Sequence, residues 1–155
     1  MIRLPRPLIP LIAIALLAGC SGLPRHPINP PNASIQQLDI VPDGSWKLQI
    51  RLENFSDSTV RYGAVKAALI VEGRVAGEIS INPNLDIPGE NADIVQATII
   101  PDTTAQQAFA ENVKKPGGAS YVLRGTINIP AAKKDFKFNY HSSLSPVPGI
   151  ANQYR

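Results

Sequence analysis

One thiol, two imidazoles and 12 carboxylates are the side chains here with the chemistry to attack, coordinate or exchange a proton. The thiol is Cys20 and the imidazoles are His26 and His141. A nucleophilic triad needs a histidine beside a serine or cysteine, with a carboxylate to orient the ring. His26 sits in a proline-rich stretch, and His141 lies among Tyr140, Ser142 and Ser143 near the end of an alternating segment. His141 and Ser143 share one face of a strand and so have the spacing of a dyad. No serine stands in the elbow pattern that exposes a nucleophile, so both read as members of a polar face. The carboxylates are scattered, with no pair set apart as acid and base. Calcium-loop, zinc and phosphate-loop spacings are missing from the sequence. Gly117-Gly118 stops a helix and has none after it, so it is no phosphate cradle. The expectation is a protein that is not an enzyme, with no catalytic residue, no metal site and no cofactor.

Cys20 remains. It closes the run Leu17-Ala18-Gly19-Cys20, behind Arg3, Arg6 and an apolar stretch from Leu8 to Ala18. A basic start, a short apolar region and small residues at the cut site describe a secretory signal. The stretch is far short of the about 20 apolar residues that span a bilayer, and Pro5, Pro7 and Pro10 would disturb a helix. A lone thiol carried into an oxidising compartment would be an unusual leftover. The Leu-Ala-Gly-Cys ending resembles the lipobox of bacterial lipoproteins. That resemblance implies a diacylglycerol on the Cys20 thiol, cleavage between Gly19 and Cys20, and acylation of the new amino terminus. Each buried methylene adds about 0.8 kcal/mol of membrane affinity, so several chains on one cysteine hold permanently. Ser21, not aspartate, follows the cysteine; in enteric-type lipoproteins this implies the outer membrane, facing the periplasm.

Composition bounds the remainder. The formal charge of +3 includes Arg3 and Arg6, which leave with the signal, so the exported chain is close to neutral. No basic patch with interleaved aromatics appears, which removes the footprint of nucleic-acid binding. Residues 1–19 read as the signal and 20–32 as a lipidated linker stiffened by Pro24, Pro27, Pro30 and Pro31. Residues 33–144 read as one domain. Residues 145–155, with Pro146, Pro148 and Gly149, lack periodicity and read as a flexible tail.

Within 33–144 the period-two signal dominates. Trp46, Leu48, Ile50 and Leu52 alternate with Lys47, Gln49, Arg51 and Glu53. Leu38 and Ile40 mark a strand before them, with Pro42-Asp43-Gly44 as the turn. Further strands are expected over Lys66 to Glu72, Arg74 to Ile81 and Asn91 to Ile100. Two more surround Tyr121, Leu123, Ile127 and Ile129, and Phe136, Phe138 and Tyr140. Val75, Ile79 and Ile81 are expected on one face. One helix should start at Asp102 or Thr103, bury Ala105, Ala108, Phe109 and Val113, carry Lys114 and Lys115 in its last turn, and stop at Pro116-Gly117-Gly118. The fold class predicted is mainly β: an immunoglobulin- or fibronectin-III-like antiparallel sandwich of about seven strands with one short helix. Trp46, Leu48, Ile50, Leu52, Phe109, Leu123, Phe136 and Phe138 should be its core.

The runs Leu48 to Asn54, Val60 to Glu72, Gly73-Arg74-Val75-Ala76-Gly77, Ile87-Pro88-Gly89 and Tyr121-Val122-Leu123-Arg124-Gly125 resemble the group-two late embryogenesis abundant proteins. Their domain is also named for water stress and hypersensitive response (WHy). The resemblance covers about residues 33–144. One departure is Asn54-Phe55-Ser56, where that family prefers Asn-Pro-Asn; Asn54 can still cap the turn through its side chain. The resemblance implies a sandwich with one helix, no catalytic residues and a link to desiccation and other stress. A membrane-anchored, non-catalytic protein that protects envelope components is therefore expected. The alternative is a docking or accessory subunit of an envelope transport or secretion assembly. Expected partners are the membrane, through the lipid, and client or envelope proteins; neither nucleic acid nor a small-molecule substrate is expected.

Overall fold

Alternating apolar side chains give each strand one dry face, and two sets of such faces close on each other. The computed structural model describes residues 27–155. The expected signal, its expected cleavage point at Gly19 and Cys20, and His26 lie outside the described residues. The strands are β1 (Asn32–Ile40), β2 (Trp46–Asn54), β3 (Val60–Tyr62), β4 (Val65–Val71), β5 (Arg74–Ile81), β6 (Leu85–Ile87) and β7 (Asn91–Ile99). After helix α1 (Thr103–Asn112) come β8 (Ala119–Ile129), a 3₁₀ turn at Pro130–Ala132, β9 (Lys134–Leu144) and β10 (Gln153–Tyr154). One sheet has the order β10-β1-β2-β7 and the other β5-β4-β8-β9, while β3 and β6 form a short ribbon. All pairings are antiparallel. The protein is thus a mainly-β sandwich with one short helix. The seven expected strands are β1, β2, β4, β5, β7, β8 and β9; β3, β6 and β10 are additions. Constant-type immunoglobulin domains pair their fourth strand into the first sheet; here β5, the fourth long strand, pairs with β4 in the second.

All eight expected core side chains are buried. Phe109 joins α1 to the first sheet, its ring 5.1 Å from Trp46 and edge-on to Tyr154 at 4.9 Å. Asp102 caps the helix by accepting the Thr104 N–H at 2.9 Å. The Thr104 hydroxyl, then its N–H, hold that carboxyl below its ordinary range. The helix ends one turn earlier than expected. Val113 caps it, and Lys114 and Lys115 lie beyond its last turn rather than within it. Asn112 is the reason: its amide donates to the Ala108 carbonyl at 2.7 Å and its oxygen accepts the Lys115 ammonium at 2.8 Å.

Two bulges shift the period. Leu69 opposes Gly77 but Ile70 opposes Val75, which leaves Ala76 as an extra residue in β5. Ala76 therefore turns inward and Val75 outward, 51% exposed, so Val75 does not share the face of Ile79. The freed Ala76 carbonyl accepts the Asp102 N–H at 2.8 Å and fixes where the helix begins. Gln36 is the extra residue in β1, so Ala33 and Ile35 point inward before it and Leu38 after it.

Both ends of the expected 33–144 domain extend further. Residues 145–155 are paired, not loose. Leu38 opposes Tyr154 and Asp39 opposes Gln153. Ser145 and Arg155 exchange backbone hydrogen bonds of 2.7 and 2.9 Å, and Val147 donates to Gln153 at 2.9 Å. The Arg155 guanidinium donates to Gln37 Oε1 at 2.8 and 3.0 Å. This hairpin covers the edge of β1 with a strand whose outer neighbour carries Pro146 and Pro148, residues without an N–H to offer. Aperiodic sequence hid it because its pairing is set by backbone and by one aromatic anchor. At the other end Asn29 of the expected linker docks on the domain, its amide donating to the Phe55 carbonyl at 2.6 Å and its N–H to Ser56 Oγ at 3.0 Å.

Candidate functional site

The motif residues have work inside the fold. Asn54 ends β2 with only 2% of its surface exposed. Its amide faces the carbonyls of Ser58, Ile87 and Pro88 at 2.9, 2.9 and 3.0 Å, and its oxygen accepts the Ser56 N–H at 2.9 Å. One side chain thus closes the β2–β3 loop on itself and fastens it to the Ile87-Pro88-Gly89 turn. The expected turn cap is present without the proline. Tyr121 crosses the sandwich: Ile35 donates its N–H to the hydroxyl at 3.0 Å, beside the bulge in β1. Burial pushes that hydroxyl up to about 12. Tyr62, whose hydroxyl donates to the Glu53 carbonyl at 2.8 Å, is pushed up as well, by burial and then by the Glu53 charge. Gly125 lets β8 approach β4, since a Cβ there would overlap the Lys66 carbonyl and lie 2.7 Å from Ala67 Cα.

His141 and Ser143 stand exposed on the outer side of β9, opposite Val122 and Ser120. No hydrogen bond joins their side chains. The carboxylate nearest in the pairing pattern, Glu72, instead accepts the Ser120 N–H at 2.6 Å and hydroxyl at 3.0 Å. The arrangement is a serine tied to a carboxylate with the imidazole elsewhere. Among the described residues no three His, Cys, Asp or Glu side chains are grouped to hold a metal ion. Cys20 and Gly19, the expected attachment and cleavage residues, lie outside the described residues, as does His26.

A feature that the sequence reading missed lies on the outer face of the second sheet. An open depression of about 590 Å³ is framed by Lys66, Arg124 and Lys137, with Glu78 on its rim and Ala68, Gly125 and Thr126 lining its floor. Lys66, Thr126 and Lys137 are cross-strand partners, and Arg124 lies two residues along β8. With strands about 4.8 Å apart, the two lysines flank Thr126 and the guanidinium completes a triangle. Small residues between long ones make the hollow. The three cations are scattered along the chain and only register unites them; the available signal was that each falls on the polar phase of its strand.

No protein-family model matches the sequence, and no curated protein matches it. Among the solved structures similar in outline are two. One is the solution structure of AT1g01470 from Arabidopsis thaliana, with TM-score 0.47 and 11% identity over 85% of this chain and 92% of that one. The other is a crystal structure of a protein from Archaeoglobus fulgidus, with TM-score 0.45 and 10% identity over 78% of this chain and 98% of that one.

Proposed function

We propose that this chain is a lipid-anchored, non-catalytic protein of the bacterial envelope. Its sandwich, of the LEA type 2 (WHy) kind, protects neighbouring envelope components by surface contact under desiccation or related stress. The observation carrying this reading is where the motif residues act. Asn54 is committed to backbone groups, Tyr121 to Ile35 and Gly125 to strand packing. The residues behind the resemblance therefore maintain a fold, and its polar outer faces are left to work. Asn29 docks beside Phe55 at one end of the sandwich, which supports a tether joining the domain there.

Replacing Cys20 by serine removes the thioether. Radiolabelled palmitate should enter the parent and not Cys20→Ser, which stays an uncut precursor; label in the variant would sink the anchor. The parent should also slow heat- or drying-induced aggregation of a client more than an equal mass of an unrelated β-sandwich. His141→Ala should keep that protection, and its loss with the fold intact would reopen catalysis. The docking-subunit reading is favoured by β7, which pairs on one side only and exposes Ile94 to 46%; a strand edge of this kind accepts a partner strand. Protection no better than the control, with one stoichiometric envelope partner co-purifying, decides for it.

A further inference from the structure

Charge on residues 27–155 is balanced in number, yet three cations gather on one face. Setting aside Arg3, Arg6 and Arg25, the 15 basic side chains fall to the number of acidic ones, 12, so residues 27–155 are formally neutral. Glu53, at the Asn54 end of the first sheet, is paired with Arg51 at 3.2 Å, while Lys66, Arg124 and Lys137 share the outer face of the second sheet. All three of these cations are exposed, and none is in an ion pair among the described residues. Glu78, on the rim, leaves the hollow with an excess of positive charge.

The proposed tether would meet the domain at the Asn54 end. Asn29 binds the loop after Asn54. Gly63, between β3 and β4, donates to the Asn128 carbonyl at 2.9 Å, which brings that end of the molecule to the start of β4. Lys66 is the second residue of β4 and opposes Thr126, two residues from Asn128. Asn29 lies nine positions after Cys20, which is at most about 30 Å of extended chain. A domain tethered at that distance from Cys20 would be close enough for this face to reach the surface.

We propose that the outer face of β5-β4-β8-β9, centred on the hollow between Lys66, Arg124 and Lys137, is a docking surface for the anionic headgroups of the membrane that carries the anchor. The inference rests on the proposed lipid at Cys20. Phosphate oxygens suit three converging cations around the Thr126 hydroxyl, and Ala68 leaves room for them. Each basic side chain at an anionic surface strengthens partitioning roughly fivefold. The interaction is screened by salt over a Debye length of about 10 Å at 0.1 M. The domain therefore lies on its second sheet at low salt and lifts at high salt, leaving the β7 side of the first sheet free for clients.

The test is lysine footprinting on the full-length protein, purified from membranes and reconstituted into vesicles of neutral phosphatidylcholine or of the same lipid with about one-third phosphatidylglycerol. Acetylation of Lys66 and Lys137 should fall several-fold on the anionic vesicles and recover in 0.5 M salt, while Lys47 and Lys114 label equally on both. Arg124→Gln, at an exposed position, should cut the protection of the two lysines about fivefold with an unchanged melting temperature. Equal labelling on both vesicles, in a protein that floats with them, overturns this surface and leaves the anchor standing. Protection of Lys47 and Lys114 to the same degree overturns it as unspecific. Equal protection by inorganic phosphate without vesicles assigns the hollow to a soluble phosphoryl group and overturns the membrane occupant. A protein that floats with neither vesicle, and whose N-terminal peptide lacks lipid mass, removes the anchor and this inference together.

Discussion

Replacing Asn54 tests how much one side chain holds together. Its amide sits against three carbonyls and its oxygen against one N–H, all within 3.0 Å, in a site almost closed to water. Asn54→Ala strands the Ser56 N–H and releases the carbonyls of Ser58, Ile87 and Pro88. At about 1 kcal/mol net per hydrogen bond, with more for buried groups left unmade, the loss is about 3–5 kcal/mol. That is a large part of the 5–15 kcal/mol or so that holds a typical domain. For a domain of this size each kcal/mol moves the melting temperature by about 4 °C, so the drop should be roughly 12–20 °C. Asn54→Asp separates chemistry from shape. It keeps the volume but places a second oxygen where three carbonyl oxygens converge, so the neutral acid is favoured in the folded state and its pKa rises above the unfolded value of about 3.9. Stability linked to a raised pKa is present in full below the unfolded pKa and drains away as pH rises. At pH 7 Asn54→Asp should therefore melt below Asn54→Ala, and near pH 4 it should match or exceed it. Thermal melts followed by circular dichroism at both pH values are the assay. Two variants melting within about 3 °C of the parent, or an aspartate variant indifferent to pH, would refute the network.

The tyrosines give an alkaline counterpart. Tyr121 is raised to about 12 and Tyr62 is raised with it, so stability holds below pH 10 and should be lost between pH 10 and about 12. Absorbance at 295 nm should show two of the four tyrosines ionising late, together with unfolding; all four ionising near pH 10 in a folded protein contradicts the burial. Tyr154→Ala removes the edge-on partner of Phe109 and loosens the cover over β1. It should cost about 1–3 kcal/mol and raise light scattering on warming, and scattering like the parent's would show that the hairpin does not guard that edge. Gly125→Val should yield insoluble or early-melting protein, because its Cβ meets the β4 backbone; parent-like expression would disprove the close strand approach.

Strands with strict alternation could be read from the sequence because burial on one face enforces period two. In β2 the residues Trp46, Leu48, Ile50 and Leu52 repeat without interruption, and β9 does the same through Phe136 and Phe138. Where a bulge intervenes, the pattern reads as noise. Gln36 moves the inward set from Ala33 and Ile35 to Leu38, so β1 looked half its length. Ala76 exchanges places with Val75 for the same reason. Strands of two or three residues, such as β3, β6 and β10, hold too few side chains to show a period at all. The Asn54 cap was legible because its residue type and its place after a strand state the mechanism. The cationic hollow was not, since proximity across strands depends on a register that no single segment encodes.

Joining the first strand to the last has a kinetic consequence. Gln37 and Arg155 meet across 118 residues, and β1 finds β10 only after nearly the whole described chain has been made. Closing a loop that long is slow relative to forming hairpins, and contacts so distant in sequence delay folding. A chain emerging amino-terminus first keeps the outer edge of β1 unsealed until Tyr154 arrives. During synthesis it stays an unfinished sheet, and residues 145–155 act as the latch that ends that interval.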